Sequence, residues 1–152
     1  MKNREILELN QALSSLNLKG FKFSYGVAKN IALLKTEIES LQKTMVASEP
    51  FKEYEQARIA LAEKYSKKDE SGNPIVKGNE YEIADREVFD KELIKLQTTH
   101  KVAIEERQKQ IDDFNKLLEE EAKVELYKIK LEDVPEDITT EEMTAIYVLI
   151  EE

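Results

Sequence analysis

The sequence predicts a mainly α fold with a small β element, and three observations carry this prediction. Apolar residues recur at three- and four-residue spacing over two long stretches, as in amphipathic helices. Charged residues make up 36% of the chain and aromatic residues only 7%, which favours long helices of this kind. Between the stretches, a Gly-Asn pair in PIVKGNEYEI predicts a β-hairpin. We therefore expect a long, coiled-coil-like antiparallel helical hairpin joined by a β-hairpin.

Residues 1–22 are predicted to form a short helix followed by an extended segment. The helix has an apolar face, and Gly20 provides a stop signal beyond it. The stretch FKFSY at 21–25 alternates aromatic and polar residues, which predicts an extended conformation. Ser24 is then placed to cap the next helix. The residues of the first apolar face are Ile6, Leu9, Leu13 and Leu16.

The first long helix is predicted over 24–66. Its apolar seam steps by three and four residues, as at the a and d positions of a coiled coil. Pro50 breaks the phase because it lacks a backbone N–H and disfavours a helical Glu49. We expect a kink near Pro50 or two consecutive helices. The seam residues before the break are Val27, Ile31, Leu34, Ile38, Leu41 and Met45, and those after it are Phe51, Tyr54, Leu61 and Tyr65.

The hairpin connector is predicted at 67–84 and the second long helix at 85–121. Gly78 and Asn79 both tolerate a positive φ, which suits a two-residue hairpin loop. Asp85 is a good helix cap, and apolar residues from Phe89 to Leu118 again follow helical spacing. Because the connector is short, the second helix should run antiparallel to the first.

The carboxyl-terminal part, 123–152, is predicted to contain a strand and a short helix. KVELYKIKL at 123–131 is rich in β-branched and apolar residues, and we expect it to pair near Phe21 or Ile75. Thr139 and Glu142 fit a capping box that begins the terminal helix. The apolar face of this helix consists of Met143, Ile146, Tyr147 and Ile150.

Length and composition predict a single domain over 1–152. The chain has no cysteine, which excludes disulfides, thiolate nucleophiles and cysteine-ligated metals. No signal-peptide or membrane-spanning pattern is visible, so we expect a soluble intracellular protein with no membrane partner. The net charge is −9, and eight of the acidic residues lie after Leu131, where there is no Lys or Arg. Acidity therefore belongs to the carboxyl-terminal segment.

Few residues are candidates for chemistry. His100, the only histidine, has no ligand-type residue at i+3 or i+4, so we interpret it as structural. Arg58 and Arg107 interrupt apolar stripes and could form an anion site, but we expect their stems to cover apolar surface and their heads to reach carboxylates. The acid pairs on the second long helix lack the histidine spacing of a helical-bundle metal centre.

Several binding functions also lack their motifs. No phosphate-binding glycine motif is present, and KDESGN at 68–73 departs from the ligand spacing of a calcium loop. Basic residues are interspersed with acids, which argues against direct nucleic-acid binding. We therefore predict no cofactor, no metal and no catalytic residue.

Five stretches of the sequence carry a resemblance, in this order: FSYGVAKNIALLKTEIESL, YEQARIALAEKYSKKDESGNPIV, FDKEL, EEEAKVELYKIKLEDV and ITTEEMTAIYVLIEE. Together they resemble a family of small proteins encoded by tailed phages and prophages of Gram-positive bacteria. The resemblance extends from about residue 21 to residue 152, with a departure near 97–116, where the second helix is longer. It implies a viral origin, a helical architecture and the host bacterial cytoplasm; it carries no activity, since the family is one of unknown function.

Three functional hypotheses follow from these patterns. The leading one is a non-enzymatic phage protein that binds another protein, in virion assembly or host takeover, with a homo-oligomer as a further possibility. The alternatives are an inhibitor that presents the acidic 132–152 segment to a basic surface of a host defence or nucleic-acid enzyme, and a prefoldin-like holding chaperone. The predicted partner-binding residues are Glu132, Asp133, Glu136, Asp137, Met143 and Tyr147.

Overall fold

The computed structural model describes residues 1–151, and Glu152, the last acid of the predicted acidic segment, lies outside them. The described chain is mostly helical with four two-residue strands, and the predicted mainly α fold is confirmed. Its helices are α1 (Asn3–Ser15), α2 (Phe21–Thr44), α3 (Glu49–Tyr65), α4 (Arg86–Thr99), α5 (Lys101–Glu119) and α6 (Thr140–Ile146). Its strands are β1 (Val76–Lys77), β2 (Glu80–Tyr81), β3 (Ile129–Lys130) and β4 (Ile150–Glu151).

Contacts group the chain into two compact units: Met1–Met45 with the chain from Asp112 onward, and Val46–Ile111. We call them unit 1 and unit 2. The prediction of a single domain is not tested by this grouping and stays a prediction. No helix within residues 1–151 is both long enough and apolar enough to span a membrane.

Unit 1 contains the main apolar core. α1 and α2 pack against each other, and α6 packs against α1. The amino-terminal segment is also tied to the end of α5, where the Asn3 N–H donates to the Glu120 carbonyl at 3.0 Å and its side chain donates to the Leu117 carbonyl. The core residues are Ile6, Leu9, Leu13, Phe23, Val27, Leu34, Ile129, Ile146 and Leu149.

The prediction of an extended segment at 21–25 is wrong, because α2 already begins at Phe21. Phe23 is a core residue four positions before Val27, so helical spacing places both on the buried face. Gly20, with φ at 77°, occupies the N-cap position of α2 instead of ending α1, which ends at Ser15. Ser24 therefore caps no helix start.

The predicted long helix over 24–66 is two helices. α2 ends at Thr44, and α3 begins at Glu49 with Pro50 in its first turn, where a missing N–H is tolerated. The Ser48 hydroxyl caps α3 by accepting a hydrogen bond from the Phe51 N–H. Similarly, the predicted helix over 85–121 is divided at His100 into α4 and α5, and the Asp85 carboxylate caps α4 as expected.

Unit 2 is an antiparallel helical hairpin. Tyr65 contacts Phe89, and further along Tyr54 contacts His100, with ring centroids 6.4 and 5.8 Å apart. The position on α3 falls as the partner position rises, which defines the antiparallel direction. The prediction of a helical hairpin joined by a β-hairpin is confirmed within this unit.

The connector at 67–84 is an ordered hairpin, as predicted. β1 and β2 pair antiparallel around Gly78 and Asn79. Of the two loop residues, only Gly78 has a positive φ, at 64°, although both residue types tolerate one. Glycine at the first central position is the signature of a type II′ turn. The preceding segment joins this hairpin, since the Ile75 N–H donates to the Lys67 carbonyl at 2.8 Å.

The predicted strand at 123–131 is regular only at β3, Ile129–Lys130, which pairs in parallel with β4 at the end of the chain. The predicted pairing with Phe21 or with the hairpin near Ile75 is wrong, since β4 is the hydrogen-bonded partner of β3. The capping box of α6 is confirmed: the Thr139 hydroxyl accepts from the Glu142 N–H, and the Glu142 carboxylate accepts from the Thr139 N–H.

Candidate protein-binding surface

Three exposed aromatic side chains lie together on unit 1. Phe21 and Tyr25 are one helical turn apart on α2, and they are 86% and 53% exposed. Tyr127, in the segment before β3, is 37% exposed, and its ring meets that of Tyr25 edge to face, with the centroids 6.0 Å apart. Together with Lys29, one further turn along α2, these residues form what we call the aromatic face.

Lys29 links the two tyrosines. Its ammonium nitrogen lies 4.1 Å from the centroid of the Tyr127 ring and 6.0 Å from that of Tyr25. Both distances are within the reach of a cation–π interaction, which orders an otherwise mobile lysine. Within the aromatic face, Tyr25, Lys29 and Tyr127 are therefore in mutual contact.

Asn30 holds Tyr127 against α2. Its side-chain amide donates to the Tyr127 carbonyl at 2.8 Å and to the Gly26 carbonyl at 3.0 Å, and its oxygen accepts from the Tyr127 N–H at 2.8 Å. Asn30 is fully buried, so these bonds are shielded from water. One side chain thus satisfies both backbone groups of Tyr127, as a neighbouring strand would.

Gly26 allows the close approach of this segment to α2. A Cβ atom at Gly26 would lie 2.7 Å from Cγ1 of Ile129 and 3.0 Å from its Cδ1. Distances this short are incompatible with ordinary packing, so only glycine fits without a shift. Gly26 and Asn30, one turn apart, together fix the position of Tyr127.

A cavity of about 290 Å³ lies beside the aromatic face. Its walls carry three lysines, Lys22, Lys128 and Lys130, and two acids, Asp133 and Glu151. Neither positive nor negative charge therefore dominates the cavity. Mixed charge around aromatic side chains is typical of protein interfaces, whereas surfaces that bind nucleic acid have a strong excess of positive charge. The complete lining is Phe21, Lys22, Tyr25, Tyr127, Lys128, Ile129, Lys130, Asp133 and Glu151.

The predicted partner-binding acids are not gathered into one site. Asp133 is paired with Lys22 at 3.0 Å, and Asp137 is paired with Lys19. The hydrogen bond to Asp133 raises the pKa of Lys22, and the hydrogen bond from Lys19 lowers the pKa of Asp137. These two carboxylates hold the terminal segment on the residues that precede and begin α2.

The other predicted residues are placed separately. Glu132 is exposed, 3.9 Å from the Lys130 ammonium, and Glu136 is exposed. Met143 is half-buried on α6, and Tyr147, just after α6, is 74% exposed. Of the six predicted residues, Asp133 alone lines the cavity beside the aromatic face.

The candidates for chemistry have structural contacts. His100 ends α4 and packs on Tyr54, which supports its interpretation as a structural residue. The Arg58 guanidinium makes two 3.0 Å hydrogen bonds to Glu55, as expected for a head that reaches a carboxylate. Arg107 donates to Gln110 at 2.6 Å and lies over the Phe51 ring.

The Asp69 carboxylate in KDESGN organises its own turn. It accepts hydrogen bonds from the Ser71 and Asn73 N–H groups at 2.8 and 2.9 Å. These bonds lower the pKa of Asp69, and the one from the Asn73 N–H has the largest effect. In the part of the chain that the structure describes, no group of three or more His, Cys, Asp or Glu side chains is arranged to hold a metal ion.

Sequence reasoning missed the aromatic face and the Asn30 contacts. The signal was present in YGVAKN, since Asn30 lies three residues after Val27 and four before Leu34, on the buried side of α2. A polar residue in that position has to find hydrogen-bond partners.

Neither protein-family models, nor curated proteins, nor solved structures gave a match to this chain.

Proposed function

We propose that this chain is a non-enzymatic, phage-encoded protein that binds another protein through the aromatic face, in virion assembly or host takeover. The observation that carries the proposal is Phe21, an aromatic side chain that is 86% exposed beside Tyr25 and Lys29. Aromatic anchors dominate the energetics of protein interfaces. The phage context rests on the resemblance between the sequence stretches described above and a phage family.

The rigidity of this surface favours binding. Asn30 fixes the backbone of Tyr127, and the Lys29 ammonium is held over its ring. A surface that is ordered before binding loses less conformational entropy when a partner docks. Phe21 can then act as an anchor beside a prearranged pair of tyrosines.

The local charge favours a protein partner over nucleic acid. The lysines of the cavity are accompanied by Asp133 and Glu151, and Lys22 is already paired with Asp133. Affinity for nucleic acid depends on an excess of cations that displaces counterions from phosphates. This balance supports a protein as the partner.

The alternative of an acidic inhibitor has weaker support. Asp133 and Asp137 form ion pairs with Lys22 and Lys19, so their charge is partly neutralised within the chain. Within the 132–137 stretch, Asp133 is half-buried, whereas Glu132, Glu136 and Asp137 are exposed. An inhibitor that works by charge would present more of these carboxylates to its target.

Affinity capture with paired variants tests the proposal. Tagged wild type, the double variant Phe21→Ala/Tyr25→Ala and the control Val102→Ala are expressed during infection of a Gram-positive host. Val102 is an exposed apolar residue on α5 in unit 2, so its truncation is a control for the loss of exposed apolar surface outside the aromatic face.

We expect one protein to be retained by the wild type and the control and reduced at least about tenfold with the double variant, the usual effect of removing central anchors. Circular dichroism checks that all three proteins fold alike. Equal retention of every captured protein by all three would overturn the proposal.

A further inference from the structure

A second surface on unit 1 is an open groove between α1 and the end of the chain. Its volume is about 580 Å³. On α1 it is lined by Glu5, Glu8, Leu9 and Ala12, which follow the i, i+3, i+4, i+7 spacing of one helical face. Met1, Ala145 and Val148 complete the lining.

The floor of the groove is apolar and made partly of small residues. Leu9 is buried at its base, and Ala12 and Ala145 stand on opposite walls, one on α1 and the other on α6. Small side chains let the backbone of another helix approach closely. Between Glu5 and Ala12, α1 rises about 10 Å, which equals the span of the i to i+7 anchors of a docked helix.

The side chains that line the groove offer a partner only negative charge. The lining contains no Lys or Arg side chain, and its charged side chains are Glu5 and Glu8. The amino group of Met1 is held by Glu121 at 2.8 Å. The Glu5 carboxylate accepts from the Lys2 N–H, whereas Glu8 is exposed.

We propose that this groove binds an amphipathic helix of a partner protein, with Lys or Arg beside its apolar stripe. Leu9, Ala12, Ala145 and Val148 contact the stripe, and Glu8 pairs with the flanking cation. The site is distinct from the aromatic face and stands whether or not that face binds a protein. A second copy of this chain is the competing occupant.

The test uses a designed probe. A fluorescein-labelled peptide of about 18 residues, long enough for a helix, carries leucines at i, i+3, i+4 and i+7 and lysines beside them. A second peptide has glutamate in place of every lysine, and a third has the first composition in a scrambled order. Binding is measured by fluorescence anisotropy on the full chain.

Three variants locate the binding. Ala145→Phe fills the groove from an exposed position, Glu8→Lys reverses its charge, and Phe21→Ala leaves it intact. We expect the Leu/Lys peptide alone to bind wild type, Ala145→Phe to lose at least about tenfold in affinity and Glu8→Lys about fivefold, while Phe21→Ala binds as wild type does.

Two results would overturn the inference. The first is that the Leu/Lys peptide binds Ala145→Phe as tightly as wild type, or no more tightly than the glutamate and scrambled peptides bind. The second is that wild type forms a dimer by light scattering which Ala145→Phe dissociates, since a second copy would then occupy the groove. Because the peptide replaces the natural partner, failure of the capture experiment on the aromatic face leaves this result unaffected.

Discussion

Asn30 connects two distant parts of the chain through one side chain. It lies in the middle of α2, and it satisfies both the N–H and the carbonyl of Tyr127. A buried backbone group left without a partner costs about 1–3 kcal/mol. The Asn30 side-chain amide therefore stabilises the segment around Tyr127, which has no strand partner at this position. It also fixes the position of Tyr127 in the aromatic face.

We expect Asn30→Ala to lower the free energy of unfolding by about 2–3 kcal/mol, because it removes both bonds to Tyr127 and leaves a small cavity. Urea unfolding measures the loss, and hydrogen exchange at the Tyr127 amide should accelerate. Asn115→Ala, at an exposed position on α5, is the matched control and should change stability by less than about 0.5 kcal/mol. Equal stabilities for the two variants would contradict this account of Asn30.

Gly26→Ala should be destabilising only while Ile129 is present. In the wild-type background the new methyl group meets Ile129 Cγ1, and overpacking of this kind costs about 1–3 kcal/mol, which outweighs the gain in helix propensity of up to about 1 kcal/mol. In an Ile129→Ala background the same substitution should be neutral or stabilising. A double-mutant cycle by urea unfolding measures the coupling, and equal effects in both backgrounds would refute a steric role for Gly26.

At the residue scale, sequence periodicity predicted three of the six buried residues of α2, and the polar one was among those it missed. Val27, Leu34 and Leu41 are buried as predicted, whereas Ile31 and Ile38 are half-buried and Asn30 is fully buried. Apolar spacing identifies a face to within one residue in each turn. It does not identify an asparagine whose partner, Tyr127, is 97 positions away.

At the element scale, Glu82 stabilises the connector of unit 2 by pairing with two lysines of the connector. Its carboxylate lies 2.5 Å from the Lys67 ammonium and 2.8 Å from that of Lys77. Hydrogen bonds from these two lysines lower the pKa of Glu82 from its ordinary 4.5 to about 2, and the bond from Lys67 has the larger effect. Because the pKa of Glu82 is lowered in the folded chain, the ion pairs of Glu82 stabilise the fold fully above pH 4.5. Their contribution to stability is lost as the pH falls toward 2.

We therefore expect Glu82 to titrate near 2 by carboxyl NMR, and its pKa to rise in Lys67→Ala and, less strongly, in Lys77→Ala. Lys91→Ala removes the Lys91–Glu87 pair in the same unit and should leave the pKa of Glu82 unchanged. Titration of Glu82 near 4.5 in the wild type would show that the two lysines do not hold it.

Element boundaries were predicted best where a local cap is decisive. Asp85 and Thr139 begin their helices as expected, because each side chain accepts a hydrogen bond from the first turn. FKFSY was misassigned because alternation over five residues also fits a helix, and the burial of Phe23 decides between the two. The break at His100 carries no proline or glycine, so no local signal predicted it.

At the scale of the whole molecule, the location of charge matters more than its sum. The segment after Leu131 carries eight acids and no base, yet Asp133 and Asp137 are engaged by Lys22 and Lys19 from near the start of α2. The sequence located this acidity but not its internal partners, which are more than 100 positions away. Part of the acidity therefore holds the carboxyl-terminal segment in unit 1.

The central claim is that the aromatic face contacts a partner protein, and site-specific photocrosslinking at Phe21 tests it most directly. A photoreactive phenylalanine analogue is placed at position 21 in one protein and at position 102 in a control, and both are irradiated in infected cells. We predict a discrete crosslinked protein from position 21 that is absent from position 102. The same products from both positions, or none from position 21, would contradict the claim.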